Sequence, residues 1–343
     1  MKHIILGLIF ISVFSLAYAQ EDRNIPSDEI KLLFWNVENL FDTYDDSLKN
    51  DEEFLPYGIR GWNIERYQQK LFHLYKTFIA AGQWKFPEII ALAEIENEKV
   101  LKDLLEQTPL LRAGYEIVHQ ESEDRRGIDL AVLYRPEKVH LLDTNFIRLT
   151  FPGDGFRKTR DIIYLKAQVR ENSAFHLFVN HWPSRYGGGK ASEERRIYAA
   201  SVVSEHVDQL LDQDQNSAII VTGDFNDTPA DKSLQVLAGK DSSLMIISDK
   251  TFAGTHKHQG LWNHFDHMWV SKALLMSSNF YAKEHIAEIF HPDWLLEKDK
   301  TYGGVKPNRT YEGYRYHGGF SDHLPLMLTL KIKPRILAEK DNY

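Results

Sequence analysis

The sequence contains no cysteine among its 343 residues. Disulfides, thiolate zinc sites, iron–sulfur clusters and cysteine nucleophiles are therefore excluded, and stability must come from packing. The sequence also lacks an excess of positive charge, because 41 Lys and Arg residues against 49 Asp and Glu residues give a formal net charge of −8. An acidic protein is a poor candidate for tight passive binding to DNA, although a local basic face is compatible with this charge.

Long apolar runs are scarce, and 43% hydrophobic with 26% charged residues is typical of a globular protein. The exception follows Lys2, where the run Ile4–Phe14 is too short to span a bilayer and precedes Ala17-Tyr18-Ala19. This pattern predicts a signal peptide over residues 1–19, with an uncleaved anchor as the alternative. Cleavage would change the net charge to −9 and place the protein in the periplasm or outside the cell, without stable membrane insertion.

No linker rich in Pro, Gly or Ser divides the rest, so we expect one domain over residues 20–343, and a monomer. Short apolar runs bounded by polar clusters predict eight strands: Ile30–Val37, Glu88–Ile95, Asp129–Tyr134, Ile162–Val169, Phe175–Trp182, Ala218–Phe225, Phe265–Val270 and Pro325–Ile332. Periodicity predicts four helices: Asn63–Ala81, Glu98–Glu106, Ala191–Leu211 and Asp231–Leu237. This order favours an α/β domain with two packed sheets and outer helices. Residues 281–319 fit neither pattern, and we expect a long excursion on the functional face.

Four predicted strands end in polar side chains that an apolar strand does not need. Alternation along each strand places these side chains in line with buried apolar residues. Each one alone is compatible with an ordinary strand-end cap, but a buried charge is costly unless it is paired or bound to a metal. Together they predict a functional site, and the set is Asn36 and Glu38, Glu94, His181, and Asp224 with Asn226.

Two Asp-His pairs, Asp266-His267 and Asp322-His323, precede late strands. A carboxylate that holds an imidazole in one tautomer prepares a general acid or base. The alternative is a zinc site, for which the nearby histidines are His256, His258, His264 and His267. The H-E-x-x-H spacing of such sites is missing, so ordinary loop positions explain several of these histidines.

Carboxylates and an amide are hard oxygen ligands that suit Mg²⁺ or Mn²⁺. Aspartate can deprotonate water and histidine can donate to phosphate oxygens, so the inventory predicts metal-assisted hydrolysis of a phosphate ester. No nucleophile elbow, Walker loop or dinucleotide fingerprint is present.

The order of these motifs resembles that of the endonuclease/exonuclease/phosphatase superfamily. The motifs are Trp35-Asn36-Val37-Glu38-Asn39-Leu40, Ala93-Glu94, Asn180-His181, Gly223-Asp224-Phe225-Asn226, Phe265-Asp266-His267 and Ser321-Asp322-His323. They extend from residue 34 to 326. The resemblance implies a four-layer α/β sandwich, two mixed sheets packed face to face with helices outside, and a site where both sheets end.

The resemblance also implies a role for each site residue. Glu94 is the principal metal ligand, with Asn36 and Asp322 beside it. Glu38 stands where the family often has aspartate, and its longer arm makes direct ligation doubtful. Asp224 orients and deprotonates the attacking water.

The remaining positions implied by the resemblance concern the phosphate. Asn226 fixes Asp224 and contacts the phosphate, and His323, polarised by Asp266, also contacts it. His181 is similar to the second, phosphate-contacting histidine of the deoxyribonuclease and sphingomyelinase branches. Arg160 stands near the family's phosphate-binding arginine. Asp129 either orients His181 or is an ordinary strand-start residue.

These inferences predict a secreted Mg²⁺- or Mn²⁺-dependent phosphodiesterase, in the simplest case a nuclease acting on extracellular nucleic acid. The candidate contacts to nucleic acid, which could equally be solvated loop residues, are Trp182, Arg185, Tyr186, Lys190, Lys306, Arg309, Tyr314 and Arg315. A phosphomonoesterase or a sphingomyelinase-like phospholipase is the alternative, and for the phospholipase the apolar cluster is Phe290, Trp294 and Leu295. An inactive binding module on the same scaffold is the alternative of another class.

Overall fold

The computed structural model describes residues 29–151, 158–170, 173–185, 189–239, 242–277 and 280–333, without the side chains of 189–191. Its main strands are β1 (Glu29–Leu40), β2 (Ile89–Ile95), β3 (Glu116–His119), β4 (Asp129–Tyr134), β5 (His140–Ile147), β6 (Ile162–Gln168), β7 (Ala174–His181), β8 (Ile219–Asp224), β9 (Leu244–Ile246), β12 (Asp266–Ser271), β13 (Phe280–Ile289) and β18 (Leu326–Ile332). The short hairpin strands are β10 (His256–His258), β11 (Leu261–Asn263), β14 (Leu296–Lys298), β15 (Val305–Pro307), β16 (Tyr311–Glu312) and β17 (Arg315–Tyr316). The helices are α1 (Ile64–Ala81), α2 (Glu98–Glu106), α3 (Gly189–Gln213), α4 (Lys232–Leu237) and α5 (Lys272–Met276).

Two six-stranded mixed sheets form the centre of the molecule. The first has the order β13-β18-β1-β2-β4-β3 and the second the order β5-β6-β7-β8-β12-β9. In each sheet the central pair is parallel, β1 with β2 and β7 with β8, and the neighbouring pairs are antiparallel. Both parallel pairs therefore deliver the carboxyl ends of two strands to one edge of their sheet.

Alternating side chains of the second sheet separate two apolar layers. Leu177 and Val179 of β7 pack in the core that includes β1 and α1, whereas Phe178 packs with Ala199 and Val203 of α3. The inner face of this sheet thus meets the first sheet and its outer face meets helices. The predicted four-layer α/β sandwich is confirmed.

Helix starts follow from the sequence. The side chain of Asn63 accepts a hydrogen bond from the backbone N–H of Arg66, and Asn97 accepts one from Val100. Each satisfies an N–H that the first turn leaves unpaired, which explains why α1 and α2 begin where they do. All four predicted helices and all eight predicted strands are present, with ends shifted by at most three residues.

The structure contains strands that the apolar pattern did not predict. β5 is an edge strand whose residues are mostly exposed, so it has no buried face to produce alternation. The excursion predicted over 281–319 is corrected at its start, because β13 pairs with β18 up to Ile289. A left-handed backbone at Glu284 and His285 interrupts the alternation of β13. The strand therefore has no continuous period-two pattern in the sequence. Residues 290–319 form the excursion proper, which carries the short hairpins β14–β15 and β16–β17.

The predicted signal peptide over residues 1–19 and the predicted domain start at Gln20 lie outside the described residues. Across the described ranges, no helix has the length and apolar character needed to cross a membrane.

Candidate active site

The parallel strand pairs bring the predicted residues to one edge. Asp224 ends β8, where its register partners are His181 on one side and Asp266 on the other. At this edge β7 and β8 approach closely, since a Cβ on Gly223 would lie 2.3 Å from the carbonyl oxygen of Asn180. One imidazole and two carboxylates therefore stand side by side in one sheet.

Backbone irregularities at the strand ends direct side chains toward this edge. Glu38, Glu94 and Asn226 all have a left-handed backbone, with φ of 52°, 68° and 52°. The register of β2 shifts between Ala93 and Ile95, so the simple alternation expected at Glu94 is broken by a bulge. Such conformations are unfavourable for residues other than glycine, and they concentrate at functional sites.

The amide of Asn36 joins the two sheets at the site. Its nitrogen donates to Glu94 Oε1 at 3.2 Å and to Asp224 Oδ2 at 3.0 Å, while its oxygen accepts from the N–H of Glu38 at 3.0 Å. Glu94 also accepts a hydrogen bond from the N–H of Asn39 at 2.9 Å. In this arrangement Asn36 holds two carboxylates in place, and its oxygen is turned away from them.

Two histidines flank Asp224. His181 Nε2 lies 3.6 Å from Asp224 Oδ2 and 3.9 Å from Glu94 Oε1, and His323 Nε2 lies 3.8 Å from Asp224 Oδ2. The Nδ1 atom of His323 is 2.8 Å from Asp266 Oδ2, the contact that the Asp266–His323 prediction requires. All four side chains are at most 8% exposed.

Burial and neighbouring charges give these groups different proton affinities. Burial raises the pKa of Asp224 to about 7, against the opposing effect of His323. Burial alone would lower the pKa of His323, but the carboxylates of Asp266 and Asp224 outweigh it and hold that pKa well above its usual value. Burial, reinforced by Arg160 and Arg126, holds the pKa of His181 well below its usual value. A neutral and a protonated imidazole therefore flank one carboxylate that titrates near neutrality.

Asn226 acts on Asp224 through its backbone. Its N–H donates to Asp224 Oδ1 at 2.9 Å, whereas its side-chain nitrogen donates to the carbonyl oxygen of Trp182 at 3.1 Å. The resemblance implied that the amide side chain would fix the aspartate; in the structure the backbone N–H does so.

Glu38 and Asp322 share one arginine from the excursion. Arg309 Nη2 lies 3.1 Å from Glu38 Oε1 and 3.0 Å from Asp322 Oδ2. The N–H of Thr310 donates to Glu38 Oε2 at 2.5 Å. Lys70, 2% exposed, donates to the Thr310 hydroxyl at 2.7 Å and to the Phe320 carbonyl at 2.5 Å. Glu38 is therefore engaged by the excursion.

Arg160 is buried behind the site, 2% exposed, where it contacts Asp124 at 3.2 Å and the Trp182 carbonyl at 2.9 Å. Arg126 pairs with the same Asp124 at 2.7 Å and is half exposed. Burial lowers the pKa of Arg160, and the nearby positive charge of Arg126 reinforces this effect. Arg126 is thus the arginine of this pair that reaches solvent.

Asp129 forms no contact with His181. Its carboxylate accepts a hydrogen bond from the Ser122 hydroxyl, and His181 Nδ1 has no hydrogen-bond partner among the described residues. The suggestion that Asp129 orients His181 is not supported by this geometry.

Within the described residues, no three of the four histidines considered for zinc come together as metal ligands. His267 is buried against the carbonyl oxygen of Asp227 at 3.1 Å, whereas the ring of His256 lies tilted beside that of His323 with centroids 4.7 Å apart. His256, Asp322 and His323 each offer a ligand atom within 4.8 Å of the others, and so do Asp224, Asp266 and His323.

The donor set fits a divalent cation. Glu94 and Asp322 supply carboxylate oxygens of the kind that Mg²⁺ and Mn²⁺ prefer. The position of Arg309 between Glu38 and Asp322 shows that this part of the site stabilises positive charge. The Asp322 carboxylate has a second oxygen, Oδ1, for which no contact with Arg309 is found within the described part of the chain.

The sequence analysis did not predict the positions that Lys70, Arg126 and Arg309 take at the site. Arg309 was predicted only as a contact to nucleic acid. Lys70 could have been found from its position, because it is a lysine on the otherwise apolar face of α1. Arg126 beside Gly127 gave no signal that distinguished it from other loop arginines.

Several residues that were predicted to contact the substrate are buried or form ion pairs within the protein. Trp182 is fully buried, Arg185 pairs with Asp227 and Asp231, and Lys306 pairs with Glu297 and Glu312. Tyr314 and Arg315 are exposed, while Tyr186 and the Lys190 side chain lie outside the described residues. Leu295 is buried, and Phe290 and Trp294 pack against the core, so these three do not form an exposed apolar loop.

Comparison with known proteins identifies a matching family and several solved structures with a similar fold. Residues 31–332 match the sequence model of the Endonuclease/Exonuclease/phosphatase family. No curated protein sequence matches the chain. An endonuclease/exonuclease/phosphatase family protein from Bacteroides thetaiotaomicron is similar in structure, with TM-score 0.56, 16% identity, and coverage of 89% of this chain and 95% of that one.

Two further solved structures share the fold. The mannosyl-6-phosphatase of Bacteroides thetaiotaomicron has TM-score 0.55 and 17% identity, covering 88% of this chain and 99% of that one. TDP2 of D. rerio, complexed with single-strand DNA product, has TM-score 0.54 and 14% identity, covering 88% and 99%.

Proposed function

The chain belongs to the Endonuclease/Exonuclease/phosphatase family, and from this premise we propose that it is a metal-dependent phosphodiesterase acting on nucleic acid. The family consists of phosphoric ester hydrolases that depend on a divalent metal, and the chain is an enzyme of this class. The choice of a phosphodiester, the use of Mg²⁺ or Mn²⁺, and secretion of the protein are parts of the proposal.

One observation carries the choice of substrate. His181, at the end of β7, and His323, just before β18, both lie within 4 Å of Asp224. A pair of histidines at these positions is the feature that resembles the deoxyribonuclease and sphingomyelinase branches, whose substrates are phosphodiesters. The absence of an exposed apolar loop at Phe290, Trp294 and Leu295 favours nucleic acid over a phospholipid.

We assign the roles as follows. Asp224, with its pKa raised to about 7 by burial, accepts a proton from the attacking water, and the Asn226 N–H fixes the carboxylate. His323, held protonated by Asp266, donates to a phosphate oxygen, and neutral His181 stands on the other side. Glu94 and Asp322 hold the divalent cation, which supplies Lewis-acid stabilisation of the phosphate when bound.

The positions of three further predicted residues refine these roles. Asn36 contributes to metal binding by positioning Glu94, because its nitrogen rather than its oxygen faces the carboxylates. Arg160 acts from behind the site through Asp124 and Trp182, and half-exposed Arg126 is the arginine that could reach a substrate phosphate.

A phosphomonoesterase is the second candidate, and a specific observation favours it. Of the six proposed contacts to nucleic acid whose side chains the structure describes, four are buried or paired, and the other two, Tyr314 and Arg315, are exposed. A small phosphorylated molecule needs no such extended surface, and mannosyl-6-phosphatase shows that the fold supports this reaction in another protein.

A substrate panel tests the proposal. The chain is incubated with plasmid DNA, single-stranded DNA, RNA, p-nitrophenyl phosphate, bis-p-nitrophenyl phosphate and sphingomyelin vesicles, each with Mg²⁺ and with EDTA. Cleavage of nucleic acid and of bis-p-nitrophenyl phosphate that EDTA abolishes is the expected result, with Glu94→Gln as the matched inactive control. Hydrolysis of the monoester alone would replace the proposal with the second candidate.

A further inference from the structure

Arg309 occupies a position between two carboxylates of the candidate metal site. Its Nε donates to Glu38 Oε1 at 3.1 Å and its Nη2 to Asp322 Oδ2 at 3.0 Å. A planar guanidinium that bridges two carboxylates through separate nitrogens has little freedom to move. The excursion therefore inserts a permanent cation at the edge of the site.

Both carboxylate oxygens of Glu38 already accept hydrogen bonds from the excursion. Oε1 accepts from Arg309 and, at 3.4 Å, from the N–H of Tyr311, while Oε2 accepts from the N–H of Thr310 at 2.5 Å. Every partner of these two oxygens is an N–H donor, so both oxygens act as acceptors here. Ligation of a metal by Glu38 would compete with these bonds in a residue that is 6% exposed.

A second basic side chain, Lys70, lies beside this arrangement, and burial lowers the pKa of its ammonium group to about 8. It lies below Thr310 and Phe320 and contacts the backbone oxygen of Glu38 at 3.4 Å. Of the three carboxylates at this edge, those of Glu38 and Asp322 share the Arg309 guanidinium, and the third belongs to Glu94. Within the described residues, Glu94 alone of the three has no lysine or arginine at ion-pair distance.

Enzymes that use two metal ions hold them about 3.5–4 Å apart with shared carboxylates. Here the carboxylates that would hold a second ion beside Glu94 are Glu38 and Asp322, and Arg309 fills the space between them. We infer that Arg309 takes the place of a second metal ion, so that the chain binds one divalent cation, next to Glu94 and the free oxygen of Asp322. This inference rests on the proposed function, since it concerns the same site.

The stoichiometry of Mn²⁺ binding tests this inference without turnover. Free Mn²⁺ is counted by its paramagnetic resonance signal during titration of the full chain in the absence of substrate. We expect one tightly bound ion in the wild type and two in Arg309→Met, because the substitution frees both carboxylates. The double variant with Glu38→Gln should return to one ion. Arg315→Met, the same change at an exposed arginine of the excursion, should leave the count at one.

Two bound ions in the wild type, or one ion in folded Arg309→Met, would overturn the inference. Thermal melting identifies a variant that does not fold. In that case the number of ions bound by the wild type decides: one bound ion supports the inference and two bound ions overturn it. Failure of the proposed function is seen separately, as a chain that binds Mn²⁺ but does not hydrolyse bis-p-nitrophenyl phosphate.

Discussion

Replacing Asp266 with Asn tests the electrostatic design of the site. The change keeps the shape of the side chain but removes the negative charge 2.8 Å from His323 Nδ1. A hydrogen bond to a charged group contributes about 1.5–3 kcal/mol, and one pKa unit corresponds to about 1.4 kcal/mol. We therefore expect the pKa of His323 to fall by about one to two units.

The direction of this shift follows from the surroundings of the ring. The titratable side chains that face His323 are Asp266, Asp224, Asp322, His256 and His181. The pKa of His323 is raised because carboxylates outweigh burial, so loss of one carboxylate lowers it. The limb of the activity profile at high pH should then move to lower pH.

Imidazole NMR signals of the metal-free protein, followed through a pH titration, give the pKa directly. Asp249→Asn serves as the control, because this carboxylate bonds to Thr251 and Ile289 and does not contact His323. A group with a raised folded-state pKa stabilises the fold fully below about pH 6.5 and loses this effect as pH rises through the folded value. The variant should thus lose more stability at pH 6 than at pH 10. An unchanged His323 titration in Asp266→Asn would refute this reasoning.

The remaining predictions concern the metal, the water and the core. Glu94→Gln should lower Mg²⁺-dependent turnover by at least ~100-fold, and near-normal activity at saturating Mg²⁺ would remove Glu94 from the metal site. Asp224→Asn should abolish most turnover with an unchanged melting temperature, because an amide cannot accept the water's proton; a fall in melting temperature that tracks the loss of activity would assign Asp224 to structure. Phe178→Ala should lower the free energy of unfolding by about 3–5 kcal/mol in urea titrations, because it leaves a cavity between β7 and α3. Tyr314→Ala, at a side chain 59% exposed, is the matched control and should change that free energy by less than about 0.5 kcal/mol.

The site residues at strand ends could be predicted because their signal is local. Each of His181 and Asp224 ends a short, mostly apolar run that is visible within eight residues. Parallel pairing then brings the ends together, and the pairing of Asp266 with Asp224 adds the third strand. The sequence order of the motifs matched the family, so the four-layer arrangement was also predictable.

Long-range contacts were not predictable from local pattern. Arg309 and Glu38 are 271 residues apart, and no periodicity indicates that the excursion returns to β1. The same limit applies to Arg160. The family resemblance predicted that it binds phosphate, but in the structure it is buried against the Trp182 carbonyl. The backbone N–H of Asn226, and not its side chain, bonds to Asp224. This contact depends on a left-handed backbone at Asn226, which the sequence of a non-glycine residue does not indicate.

The contacts of the Asn36 amide make the geometry of the site depend on how the two sheets are placed relative to each other. The amide links Glu94 on the first sheet to Asp224 on the second through contacts of 3.2 Å and 3.0 Å. A slide of one sheet over the other by about 1 Å would separate these groups, and misplacement of that size can cost about 100-fold in rate. Neither sheet needs to lose a strand for this to happen. Gentle heating should therefore silence the enzyme while its far-ultraviolet circular dichroism is still that of the intact protein.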